Sequence, residues 1–151
     1  MIRIICVGKL KEKYLKDAIE EYSKRLKKYT SIDIIELQDE SLYDIEKIKT
    51  LEGEKIEKYI QPKDYVITLE IEGIQYTSVD FSKKLENIYQ ENSNIDFIIG
   101  GSYGLSDNIK KRSNLKLSFS KMTFPHQLFR VILLEQIYRA YKITNNEKYH
   151  K

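Results

Sequence analysis

The chain has 151 residues, 41% hydrophobic and 32% charged, with two prolines, one cysteine and no tryptophan. That length is enough for one domain with a buried core, and a single domain over 1–151 is expected. No apolar run approaches the ~20 residues of a membrane span, and the apolar start Met1 to Val7 is too short for a secretion signal. Cys6 alone forms no internal disulfide and reads as an inert buried thiol, so a cytoplasmic location is expected.

The net charge of +3 is unevenly distributed. Residues 1–100 hold 16 Lys/Arg against 20 Asp/Glu, whereas residues 101–151 hold 10 against 3. A basic end on an acidic body fits a polyanionic partner, nucleic acid first, or else a solvated basic face.

Ile2 to Val7 reads as a buried strand ended by Gly8. From Lys11 to Tyr29 the apolar positions Leu15, Ala18, Ile19, Tyr22, Leu26 and Tyr29 have helical spacing. Ser31 to Leu37 is a second strand. Ile45, Ile48, Ile56, Tyr59 and Ile60 mark a second helix, with a kink or break expected near Gly53. Tyr65 to Ile71 is a third strand, closed by Glu72-Gly73. Thr77 and Asp80 resemble a capping box for a helix carrying Phe81, Leu85, Ile88 and Tyr89 on one face. Ile95 to Ile99 is almost wholly apolar, as the centre of a parallel sheet should be. Leu115 to Phe119 is a short fifth strand. Phe124 to Ile143 is a helix apolar over more than one face, which calls for cover on two sides and so for a second copy of the chain. This order predicts an α/β fold, a mostly parallel five- to six-stranded sheet with helices on both faces.

Chemistry concentrates in the last third. Three of six glycines, Gly100, Gly101 and Gly104, fall within five positions there, and both histidines, His126 and His150, flank the last helix. In open α/β sheets ligands bind beyond the carboxyl ends of the strands. Here those ends are Thr68-Leu69-Glu70, Gly100-Gly101-Ser102 and Ser120 to Pro125. The glycine pair serves either a tight turn or a ligand lying against the backbone. It matches neither the phosphate-loop nor the dinucleotide fingerprint, and no Cys/His spacing predicts a metal. Pro125 suits the first turn of the last helix. Thr123 is either that helix's cap or a ligand contact, and His126 is either a surface residue or part of a site.

The segments FIIGGSYGL and LSFSKMTFPHQLFRVILLEQIYRAYKI, the ending YHK and the opening IRIICVGKLKEKYLKDAIEEYSKRL resemble the ribosomal RNA large-subunit methyltransferase H family. That is the small single-domain branch of the SPOUT methyltransferases, and the resemblance covers the whole chain. The family usually carries Pro immediately before the Tyr-His pair, where this chain has Lys148. The resemblance implies a C-terminal trefoil knot, otherwise very rare. It also implies a homodimer that uses S-adenosyl-L-methionine to methylate N3 of a pseudouridine in 23S rRNA, on the assembled ribosome. By motif, the cofactor contacts would be Leu69, Gly101, Ser120, Lys121, Met122, Thr123, Phe124 and Pro125.

For catalysis, His150 is suited to proton transfer near neutrality, with Tyr149 to stack on the base and Arg139 to hold a phosphate or the base's carbonyl oxygens. His126 and Lys151 are the expected RNA contacts. Two other readings compete: a non-catalytic RNA-binding or ribosome-assembly factor, and a SPOUT methyltransferase acting on tRNA or another rRNA base.

Overall fold

The computed structural model describes residues 1–41 and 43–151. In chain order the elements are β1 (Ile2–Val7), α1 (Lys13–Leu26), β2 (Ile32–Leu37), α2 (Ile45–Glu57) and β3 (Tyr65–Gln75). They continue with α3 (Ser78–Glu91), β4 (Ile95–Ile99), α4 (Asp107–Arg112), β5 (Leu115–Ser118) and α5 (His126–Thr144). The described residues form a five-stranded sheet in the order β2-β1-β4-β3-β5, with every neighbouring pair parallel. The central strand β4 is buried along its whole length, as its apolar run requires.

Helices cover both faces. On one face Ile4, Cys6, Phe97 and Ile67 meet Phe81 and Leu85 of α3 and Leu133, Leu134 and Ile137 of α5. On the other, Ile5, Val7 and Ile98 meet Ile56 of α2 and Ile109 of α4. Cys6 lies wholly inside the first layer, and burial pushes its thiol up to about 11, so it stays protonated and unreactive. Strand steps in one direction use helices on one face and steps in the other direction use the opposite face, as a constant crossover hand demands.

The two ends of the sheet differ. At the amino ends, Arg3 bridges Asp64 and Asp96, with Nε 2.8 Å from Asp96 Oδ1, and both carboxylates are buried. At the carboxyl ends the chain opens into long connections. After β5, at one edge of the sheet, it crosses back to α5, whose Arg130 reaches the end of β1. That crossing fits the trefoil threading expected above.

Several local features differ from the sequence reading. The third strand does not close at Glu72-Gly73. It continues to Gln75 through a register shift against β5 between Leu69 and Ile74. The short helix α4 was not anticipated, although Ser106 caps it by accepting from the Ile109 N–H at 3.4 Å. The capping expected of Thr77 is present, its Oγ1 accepting from the Asp80 N–H at 3.1 Å.

No break occurs at Gly53, since α2 runs through it. The glycine is there for close approach: a Cβ would fall 2.4 Å from Ser106 Oγ and 3.1 Å from Ser106 Cβ. Alanine ordinarily gains about 1 kcal/mol over glycine inside a helix. Here Gly53→Ala should instead lower stability by about 1 kcal/mol in urea denaturation, because α2 and the α4 cap must move apart. A stabilised variant would refute this packing role.

Candidate active site

A cavity of about 560 Å³ opens at the register shift of β3 and beyond the carboxyl ends of β4 and β5, within the usual size range of small-molecule sites. Leu69 and Glu70 form one wall, the turn from Gly100 to Leu105 a second, and Ser118 to Phe124 a third. His126 and Phe129, from the first turn of α5, close the far side. The three stretches singled out in the sequence therefore meet in one place.

The glycine turn is stiffened from within, Gly104 N donating to Gly101 O at 3.1 Å. From behind it rests on α2. A Cβ on Gly101 would lie 3.0 Å from Glu52 Oε1 and 3.2 Å from Val7 Cγ1. The missing side chain thus makes room for protein behind the wall, a different reason from the ligand approach weighed above. Glu52 is buried, its Oε2 accepts from the Glu40 N–H at 3.0 Å, and its Oε1 has no partner among the described residues. Burial holds this carboxyl above the usual carboxylate range.

Ser120 organises the third wall, with its Oγ accepting from Met122 N at 3.0 Å and its carbonyl from Ser118 Oγ at 3.1 Å. Phe129 packs on Phe119 and Phe124 at centroid distances of 5.0 and 5.9 Å, which fixes the loop to α5. Of the expected cofactor contacts, Leu69, Gly101, Ser120, Met122, Thr123 and Phe124 line the cavity, whereas Lys121 and Pro125 lie outside its lining. Pro125 is the residue preceding α5, and no side chain caps that helix, Thr123 included.

His126 is the first residue of α5 and faces the cavity. Burial first, and then the Arg130 guanidinium, push its imidazole below the ordinary value, so it is uncharged at neutral pH. Arg130 is 1% exposed. It donates to Val7 O at 3.1 Å, Gly8 O at 2.6 Å and Glu36 Oε2 at 2.9 Å. The charge inside the apolar run LFRVILL was its signal in the sequence.

The remaining expected residues gather elsewhere. Tyr149 packs edge-on against Tyr138 at 5.0 Å, lies under Arg139 at 4.7 Å and donates to Glu135 Oε1 at 3.0 Å. Burial, then the bond to Glu135, push this phenol up to about 12, so it is a donor rather than a base. Arg139 Nη1 stands 3.2 Å from His150 Nδ1. A guanidinium only donates, so at this contact Nδ1 is the acceptor and Nε2 is left to carry the ring proton. His150 and Lys151 are exposed. Arg139 lies 13 residues along α5 from His126, about 20 Å at the helical rise. His150, Arg139 and Tyr149 thus form one cluster, apart from the cavity of their own chain.

A parallel α/β sheet with a cofactor-sized cavity walled by a glycine turn and a polar strand-to-helix loop defines a ligand-using α/β domain. The chain belongs to the SPOUT methyltransferase family: the family model described as "Predicted SPOUT methyltransferase" matches residues 1–150. It is 59% identical to a Clostridium botulinum (strain Alaska E43) protein named "Ribosomal RNA large subunit methyltransferase H", with 99% of each chain covered. It is 55% identical to the Clostridium acetobutylicum protein of the same name, again over 99% of each. Among solved structures it is similar to "The structure of a probable methylase family protein from Haemophilus influenzae Rd KW20". The TM-score is 0.56 at 13% identity, covering 99% of this chain and 70% of that one, a likeness of fold. Among the described residues no helix is long and apolar enough to cross a membrane.

Proposed function

We propose that this methyltransferase uses S-adenosyl-L-methionine to methylate N3 of a pseudouridine in 23S rRNA, as a homodimer acting on the assembled ribosome in the cytoplasm. One observation carries the reading: the glycine turn and the Ser120–Phe124 loop meet in a single cavity, on a chain whose full-length relatives are named for large-subunit rRNA methylation. The cavity fits the cofactor. Leu69, Leu117 and Phe119 offer an apolar slot for a purine, and Glu70 and Lys110 offer opposite charges for a ribose and an amino-acid tail.

The bound cofactor supplies an electrophilic methyl group on sulfur. The protein aligns the base nitrogen with it, an orientation effect worth up to about 7–11 kcal/mol in ideal cases. The Arg139–Tyr149–His150 cluster lies too far along α5 to serve its own cavity, so it serves the partner's. The half-buried Val131 and Ile132 and the exposed Leu128 of α5 offer apolar surface for that second copy. With Nδ1 held by Arg139, His150 presents Nε2–H to a carbonyl oxygen of the base, which acidifies N3–H, whose proton passes to water as the nitrogen takes the methyl group. Tyr149 stacks on the base, and Lys151 and His126 contact the RNA.

The test is mass spectrometry of rRNA nucleosides from cells lacking this protein, with and without the gene restored. Loss of a single methylated pseudouridine, recovered on restoration, is expected. An unchanged rRNA profile overturns the substrate, and melting that is insensitive to saturating S-adenosyl-L-methionine overturns the enzyme.

The wall geometry gives a further expectation. Gly101→Val drives the turn off Glu52 and into the cavity, an overpacking cost of about 1–3 kcal/mol. Calorimetry should show cofactor affinity down by roughly tenfold or more, with the circular dichroism spectrum retained. Unchanged affinity would show that the turn is not a wall of the site.

A further inference from the structure

Thr68 is the polar residue of β3 that faces the α4 side of the sheet, and it is completely buried. Its hydroxyl lies 2.6 Å from Glu70 Oε2 and 2.7 Å from Ser113 Oγ. A hydroxyl carries one proton, and an ionised carboxylate only accepts. Thr68 therefore donates to Glu70, while Ser113, whose Oγ also lies 2.9 Å from Leu115 O, shares its one proton between that carbonyl and Thr68. This relay pins one oxygen of Glu70 from inside the protein. The other, Oε1, borders the cavity with Lys110 Nζ as its nearest cation at 4.0 Å. A buried polar relay that ends on one oriented carboxylate at a cavity wall is costly as packing alone.

We propose that Glu70 is a cofactor-binding residue that accepts the ribose hydroxyls of S-adenosyl-L-methionine, with Thr68 as its positioning residue. This rests on the cofactor reading above. Glu70 lines the same cavity as Leu69, Leu117 and Phe119, the apolar slot suited to the purine. Ribose is the group bonded directly to the purine, so the first polar acceptor beyond that slot meets its hydroxyls. With Oε2 held by Thr68, Oε1 keeps its own lone pairs free to accept from the ribose diol. Lys110, on the same wall, is left to pair with the carboxylate of the methionyl tail.

Calorimetry with S-adenosylhomocysteine and its 2′-deoxy analogue tests this. The intact protein should bind the ribose form roughly 10- to 100-fold more tightly, the range of a hydrogen bond to a charged group. Glu70→Gln, close in shape, and Glu70→Ala should both weaken S-adenosylhomocysteine, and weaken the 2′-deoxy analogue less because it keeps only the 3′-hydroxyl, so that the discrimination collapses. Thr68→Val removes only the pinning hydroxyl and should give an intermediate discrimination with the fold intact. Discrimination that persists in the Glu70 variants assigns the diol to another group and overturns the proposal. Failure of the intact protein to bind S-adenosylhomocysteine at all overturns the cofactor reading itself.

Discussion

A chain lacking Tyr149, His150 and Lys151 loses methyl transfer by roughly 10²–10³-fold, the range expected when a donor to developing charge is removed, while its affinity for the cofactor stays that of the full chain. The tail is not a loose end. Tyr149 is clasped between Tyr138 and Arg139 and bonded to Glu135, and Arg139 holds His150 in one tautomer. None of these residues lines the cavity, so their removal spares the binding step. Single-turnover kinetics beside calorimetry separates the two steps. His150→Ala alone should lower kcat and leave the KM for the cofactor near its original value. Full activity in the truncated chain would end the tail's catalytic role.

Replacing Arg130 has the largest expected effect on stability. Its guanidinium joins α5 to the ends of β1 and β2 through two backbone carbonyls and Glu36, which also accepts the Leu10 N–H at 2.8 Å. Arg130→Met fills much of the space but leaves Val7 O and Gly8 O without their donor. Each buried acceptor left without its donor costs about 1–3 kcal/mol, so the two carbonyls together remove a large share of the 5–15 kcal/mol typical of a domain. Urea denaturation should show it as a lower midpoint with little change in slope. Arg130→Lys should recover only part, since one ammonium lacks the fork that reaches three acceptors. A loss below about 1 kcal/mol would show that water replaces the guanidinium.

Where local chemistry decides structure, the sequence was readable. The apolar run Ile95 to Ile99 is β4 to the residue, and Thr77 caps α3 as its spacing indicated. Features that depend on what lies opposite were not. Gly53 reads as a helix breaker until Ser106 is placed against it. Asp107 to Arg112 is too short and polar for a periodic signal, although Ser106 before Asp107 was a usable cap sign. Glu72-Gly73 reads as a strand end because nothing in the chain announces a register shift against β5. The site divides in the same way. Its three walls were legible as strand ends, although Leu69-Glu70 proves to lie within β3, and the tail was legible as a motif. Glu52, Glu70 and Arg130 acquire meaning only from contacts far away in the chain: the Gly101 turn, Lys110 and the β1 carbonyls.

The separation along α5 gives the proposed dimer an arithmetic of its own. If each cavity is completed by the other copy's tail, a tail-deleted chain still offers a sound cavity, and a Gly101→Val chain still offers a sound tail. Neither is active alone. Mixed and allowed to exchange, half the dimers pair one of each, and every such dimer holds one whole site and one doubly broken site. About a quarter of all sites should then work, from two preparations that separately show nothing.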